Sequence, residues 1–212
     1  MLGNAPRNHP HQAKKRGVDD SIDDRETPPC VYVPLDAEFH FTLDAAANHH
    51  NAKCDRYCTL EGVFERPLMA GNLKLADNGA RKIWAGDGLH YPWAKHTVWC
   101  NPPFSGVRPW AEQAWDESES TVVLLLPNNR SEQPFWQKLV EPYRDRAGSI
   151  LTTRHLPKRR PFLHHGSEIG NRTSKSPPFG LVVVIWDRRR PELTRAPAEK
   201  DTVPQRATEH SL

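Results

Sequence analysis

The chain has 212 residues, 37% hydrophobic and 26% charged, with 20 prolines and a formal net charge of +3. That length supports one domain with a core of its own and excludes two full-sized ones, and the net charge is too small for polyanion binding to be read from the total. No run of about 18 apolar residues is present and the basic N-terminus around Lys14, Lys15 and Arg16 has no apolar signal core, so the expectation is a cytoplasmic protein whose four cysteines are reduced thiols.

Residues 1–26 are polar and lack the apolar content that would offset their ordering entropy, which predicts a disordered arm. Thr27-Pro28 opens the ordered part. Pro29 and Pro34 argue against one uninterrupted helix across Val31, Val33 and Leu35, so a short turn followed by a helix from about Pro34 is expected. Phe39 to Asp44 alternates like a strand. It ends on an acid followed by Ala45-Ala46-Ala47, small residues that let a ligand approach the backbone, as at the start of a nucleoside site in doubly wound folds.

Asn48 to Cys58 is polar and contains His49, His50, Cys54 and Cys58. A zinc site would need a fourth ligand from Cys30 or Cys100 and fits the spacing loosely; free thiols beside a ligand pocket are the preferred reading. Residues 60–85, broken by Gly62, Gly71 and Gly79, look like an insertion. Asp87, in the turn-rich Ala85-Gly86-Asp87-Gly88-Leu89, either faces a ligand or shapes the turn.

Thr97-Val98-Trp99-Cys100 reads as a buried strand that runs into Asn101-Pro102-Pro103-Phe104. Two prolines fix the backbone and offer no N–H to a ladder, so the loop is stiff and lies at a strand's carboxyl end, where open α/β sheets bind ligands. The Asn101 side-chain oxygen and the Pro102 carbonyl are acceptors for the two hydrogens of a planar exocyclic amine, and Phe104 is a stacking face for its ring.

Residues 107–118 carry Trp110, Ala111, Ala114 and Trp115 on one helical stripe, with the tryptophans read as core. Thr121 to Leu126 is a buried strand ending at Pro127-Asn128-Asn129, and Phe135, Trp136, Leu139 and Val140 mark another helix. Two strand–loop–helix units in succession predict a parallel sheet. Residues 149–153 and 180–186 are further strands. Between them Arg154, Lys158, Arg159, Arg160, Arg172 and Lys175 stand against one acid, Glu168, which makes this loop a candidate phosphate-contacting surface. Residues 188–212 read as a second disordered tail.

Taken together, Thr27-Pro28, Leu35-Asp36-Ala37-Glu38-Phe39, Phe41 to Ala46, Asn51-Ala52-Lys53-Cys54 with Tyr57, Asp87-Gly88-Leu89, Trp99 to Phe104, Leu125-Leu126-Pro127 and Pro178-Phe179-Gly180 resemble, in order, the phage-type DNA adenine-N6 methyltransferase family. The resemblance spans about residues 27–186. It implies a single α/β domain over 27–187 with a Rossmann-like sheet, helices on both faces, S-adenosylmethionine as methyl donor, and double-stranded DNA as substrate in a bacterial or phage-infected cell. It also implies that Asn101 and Pro102 accept the amine hydrogens, Pro103 stiffens the loop and Phe104 stacks on a flipped adenine. Thr27, Pro28, Asp44, Ala45, Ala46 and Asp87 would belong to the donor site, with no metal. Three departures stand out: Phe104 where the family usually has tyrosine, Pro29 and Pro34 after Thr-Pro, and the inserted stretch from Gly62 to Trp84. The residues themselves leave other readings open, namely a cytosine amine, a protein glutamine amide, or DNA binding without catalysis.

Overall fold

The computed structural model describes residues 26–67, 79–117, 119–163 and 177–189. The arms at both ends and the stretch from 164 to 176, with Arg172 and Lys175, lie outside the described residues. Among those described, no helix is long and apolar enough to cross a membrane.

The architecture is a mixed α/β fold built on an eight-stranded sheet. In chain order the elements are α1 (Pro29–Phe39), β1 (Leu43–Asp44), β2 (Arg56–Cys58), β3 (Val63–Glu65), β4 (Arg81–Trp84), β5 (Thr97–Cys100), α2 (Arg108–Asp116), β6 (Thr121–Pro127), α3 (Pro134–Leu139), β7 (Leu151–His155) and β8 (Leu181–Trp186). The sheet order is β4-β3-β2-β1-β5-β6-β8-β7. β2, β1, β5 and β6 run parallel, whereas β3, β4 and β8 are antiparallel to their neighbours.

Period-two alternation sorts the central strands onto two faces. Val98 and Cys100 of β5, Val122, Leu124 and Leu126 of β6, and Val182, Val184 and Trp186 of β8 pack with Trp110, Ala111 and Ala114 of α2 and Phe135 and Trp136 of α3. The intervening Trp99, Val123, Leu125, Leu181, Val183 and Ile185 pack with Val31, Leu35 and Phe39 of α1. Helices thus cover both faces, and the strands read as continuous apolar runs because neither side meets water.

α1 corrects the expectation that prolines divide this segment. Pro29 occupies the first helical turn, where its missing N–H would have no partner anyway, and Pro34 lies inside an uninterrupted helix. Pro34 is on the exposed side, so the Cys30 carbonyl it leaves without an intrahelical bond can take water, while the i, i+4, i+8 stripe of Val31, Leu35 and Phe39 is buried. The helix ends at His40 in a left-handed conformation (φ 55°), so β1 is confined to Leu43–Asp44 rather than reaching back to Phe39.

The stretch read as an insertion instead lengthens the sheet. β3 and β4 form an antiparallel pair on the outer side of β2, with Val63 fully buried. β2 itself escaped the sequence reading because its three residues, Arg56, Tyr57 and Cys58, carry too little pattern to register. Arg188 and Arg189, assigned from sequence to the tail, are tied to the fold. The Arg188 guanidinium donates to the Ser120 carbonyl at 2.9 Å, and Arg189 donates to the Glu38 carbonyl at 2.9 Å.

Candidate active site

After β1 the chain moves outward to β2, and it later returns to the other side of β1 to form β5 and β6. The order therefore reverses between β1 and β5, and the crevice at the carboxyl ends of those strands is where such sheets hold ligands. Asp44 and Asn101 stand at those two ends. Asp44 is in register with Trp99, and the Ala45 N–H extends the ladder to the Trp99 carbonyl at 2.9 Å.

A small cleft at this point is lined by Thr27, Asp44, Ala46, Asn51, Lys53, Trp99 and Asn101. Four of these were site candidates from sequence and are brought together: Thr27, Asp44, Ala46 and Asn101. Asn51, Lys53 and Trp99 were not; the signal for the first two was the Asn51-Ala52-Lys53-Cys54 stretch, which had been matched as a motif without a role. Thr27 is almost fully buried because Glu26, just before it, pairs with Leu163 through two backbone hydrogen bonds of 3.0 and 2.9 Å.

Asp44 is wholly enclosed. Its Oδ2 accepts the Lys53 backbone N–H at 2.9 Å and its Oδ1 the Ala46 N–H at 3.4 Å. The Lys53 ammonium is bound to Glu26 instead. Burial pushes the Asp44 carboxyl from its ordinary 3.8 up to about 7, against the opposing pull of those two N–H groups and the more distant Lys53 and Arg66 charges. A carboxyl so placed holds its proton to higher pH than usual, and a cation joining it favours the ionised form.

Asn101 presents the complementary feature. Its Oδ1 is buried and accepts no hydrogen bond, one of few such atoms among the described residues. Unpaired buried acceptors are rare because each costs about 1–3 kcal/mol, and they call for a specific explanation. The loop that carries it is rigid: Pro102 is buried, and the Gly106 N–H closes a turn on the Pro103 carbonyl at 3.0 Å.

Phe104 is half-buried and meets Phe162 edge-on at 5.7 Å and Phe179 at 5.9 Å between ring centroids. Neither partner was a site candidate from sequence, although Phe179 lies in the matched Pro178-Phe179-Gly180. The Arg130 guanidinium donates to the Phe104 carbonyl at 3.3 Å, while its own buried Nε is unpartnered.

The remaining candidates lie around the cleft rather than on its wall. Pro28 is buried and its carbonyl starts α1 by accepting the Val31 N–H at 2.9 Å; Ala45 is buried beneath the cleft. Asp87 shapes its turn, since Oδ1 accepts the Leu89 N–H at 3.1 Å and sits 2.6 Å from His90 Nδ1. That turn nevertheless presses on the site, because a Cβ on Gly88 would come within 2.0 Å of the Ala45 carbonyl oxygen. Of the basic candidates, Arg154 is engaged by Glu38, with both guanidinium Nη atoms on its carboxylate at 2.5 and 2.7 Å. Lys158 and Arg159 are exposed on the carboxyl edge and Arg160 is half-buried.

Among the described residues no group of three or more His, Cys, Asp or Glu side chains is placed to hold a metal. His49 Nδ1 lies 2.8 Å from the Tyr57 hydroxyl. Cys54, Cys58 and Cys100 are buried free thiols, and burial pushes the Cys58 thiol up to about 12.

Comparison with known proteins adds one result to this geometry. Residues 15–64 match the model of the DNA N-6-adenine-methyltransferase (Dam) family. The matched span contains Thr27, Asp44 and Lys53 and ends before Asn101. It bears out the family named from the sequence over the part of the resemblance that precedes residue 65, does not reach the Asn101-Pro102-Pro103-Phe104 loop, and supports DNA adenine methylation at the level of the family. No curated protein matches the chain.

Proposed function

We propose that this chain, similar over residues 15–64 to the Dam family, is an S-adenosylmethionine-dependent methyltransferase of Rossmann-like fold. It would transfer a methyl group to the N6 amine of an adenine flipped from double-stranded DNA, in the cytoplasm of a bacterial or phage-infected cell. The observation that carries this reading is the buried, unpartnered Oδ1 of Asn101 at the strand-order reversal.

The residues present suit the donor. It supplies, when bound, an electrophilic methyl group on a cationic sulfur and a second positive charge on its ammonium. Asp44 offers a buried carboxyl with its pKa raised to about 7 and no cation bonded to it, the situation that a positively charged ligand relieves. Thr27, Pro28, Ala45, Ala46 and Asp87 complete the proposed donor site.

On the substrate side, Asn101 Oδ1 and the Pro102 carbonyl would accept the amine's two hydrogens. Those contacts would draw the nitrogen lone pair out of conjugation with the ring towards the methyl carbon, and the proton that the methylated amine then sheds would pass to water, so no covalent nucleophile is required. Because both acceptors are neutral and held by a proline-stiffened loop, the stabilisation comes from preorganisation. Phe104 would stack on the base, and Lys158, Arg159 and Arg160, with Arg172 and Lys175, would meet phosphates, whereas Arg154 is held by Glu38.

The test is transfer of labelled methyl from S-adenosylmethionine to unmethylated DNA, followed by digestion to nucleosides and mass analysis. N6-methyl-2′-deoxyadenosine as the labelled product is expected. Label on cytosine or on protein moves the target, and DNA binding without label removes the activity.

A further inference from the structure

A second depression opens on the same edge of the sheet. β8 is antiparallel to both β6 and β7, so the residues after β6, those after β7 and those before β8 gather together. Asn128 and Asn129 form one wall, Lys158 and Arg159 the other, and Phe179 and Gly180 lie between them. All four wall side chains are exposed. The Asn128 amide lies directly over Gly180: a Cβ there would come 2.5 Å from Asn128 Nδ2, so a side chain at this position would push the amide aside. The Asn128 N–H also donates to the Gly180 carbonyl at 3.0 Å. Lys158 has a left-handed backbone, φ 65°, which is uncommon for a residue with a Cβ.

This groove is continuous with the Asn101 loop. Phe179 is both part of its lining and an edge-on neighbour of Phe104 at 5.9 Å. The residue after Asn129 is Arg130, which holds the Phe104 carbonyl. A base stacked on Phe104 would leave its sugar-phosphate next to Phe179, facing two cations and two amides. Cations answer phosphates irrespective of sequence, whereas amides offer both a donor and an acceptor to a base edge.

We propose that this groove seats the target DNA strand beside the flipped base, with Lys158 and Arg159 on its phosphates and Asn128 and Asn129 reading the neighbouring nucleotides. The inference rests on the methyltransferase reading and adds the strand's path and the residues that select its sequence.

The test pairs Lys158→Gly with Arg159→Ala, since glycine keeps the left-handed backbone while removing the charge. Binding of a labelled, unmethylated duplex of about 20 base pairs is followed by anisotropy over a salt series. S-adenosylmethionine affinity is measured alongside as the check on folding. The expected result is a 10- to 100-fold loss of DNA affinity at low salt, on the order of two lost phosphate contacts, and a slope of log K against log salt shallower by about 1.5–2. An unchanged slope with donor affinity intact overturns the groove. Should the pair not fold, Arg159→Gln alone carries the same test with about half the change in slope. Wild-type protein that binds DNA through the groove but transfers no methyl overturns the enzymatic reading and leaves the groove standing. Wild-type protein that methylates while the variants keep its slope does the reverse. Gly180→Ala retains every charge but displaces the Asn128 amide, so it is expected to leave the slope alone and to flatten the preference among methylated sites by about 5- to 10-fold. An unaltered preference removes Asn128 from sequence reading.

Discussion

The two hollows on the carboxyl edge of the sheet differ in almost every physical respect. The cleft between β1 and β5 is narrow, and its significant groups are a buried carboxyl and a buried, unpartnered amide oxygen. The groove beyond β6 is open and basic, and its polar side chains reach solvent. A low-dielectric recess amplifies the interactions of a few fixed acceptors and penalises any that stay unmet. An open basic channel gains affinity from counterion release and discriminates little by charge. On the proposed function the contrast is a division of labour: chemistry and donor selection would belong in the cleft, and strand binding in the groove. Arg130 and Phe179 join the two.

The comparison breaks most sharply at Asn101. Asn101→Ala is expected to lower kcat for methyl transfer by at least about a hundred- to a thousandfold, the range for loss of one preorganised contact. Calorimetric donor affinity should change little. Wild-type turnover in that variant removes the cleft from the chemistry.

Asp44→Asn tests the other half of the cleft and is expected to weaken donor binding about 10- to 100-fold, as for a lost charged hydrogen bond. The pH dependence has a definite sign. With the carboxyl raised to about 7, binding a cation to its ionised form requires releasing a proton at lower pH, so donor affinity should fall as pH drops below about 7. Stability runs the other way. Between about 4 and 7 the folded chain holds a proton that the unfolded chain has lost, so stability declines as pH rises through that window. Melting curves of Asp44→Asn should lack that decline.

Phe104 sharpens the link between the hollows. Phe104→Ala should raise KM for DNA about tenfold, in keeping with a stacking contribution of about 1–3 kcal/mol per base. Phe104→Tyr, which keeps the ring, should stay within about threefold. Equal effects of the two would separate stacking from this side chain. The smallest expected change is at Gly88. Gly88→Ala must shift the Ala45 backbone and should cost about 1–3 kcal/mol of stability, read by denaturant unfolding, with a modest loss of donor affinity.

Much of this was legible in the residues. The apolar runs of β5, β6 and β8 stood out because burial on both faces removes polar interruptions, and the stiff loop after Cys100 was marked by its prolines. The small elements were not. β2 and β3 have three residues each, too few for any period to show, and they form because the sheet edge offers hydrogen-bond partners. Pro34 misled because propensity speaks to an isolated helix, whereas here an exposed proline is outweighed by three buried side chains on the opposite side. For the cleft, Asp44 and Asn101 were found because each ends a strand. Asn51 and Lys53 were missed as lining because their approach depends on how the segment between β1 and β2 folds back over the sheet, and Trp99 because it sits within the β5 strand, where it reads as core. Arg154, one of six cations in a basic stretch, is held by Glu38, a partner 116 positions away that no local reading would supply.

The placement of β8 carries a consequence for how the molecule is made. Its partners β6 and β7 both precede it in the chain, yet it fills the gap between them, matching β6 at six positions and β7 at five. A nascent polypeptide that has emerged only through His155 therefore has a rift in its sheet, with apolar strand edges exposed until Leu181–Trp186 arrives. The protein's assembly is in this sense a closure by the last of the described strands, and chains halted in synthesis before that point would be the ones presented to chaperones and proteases.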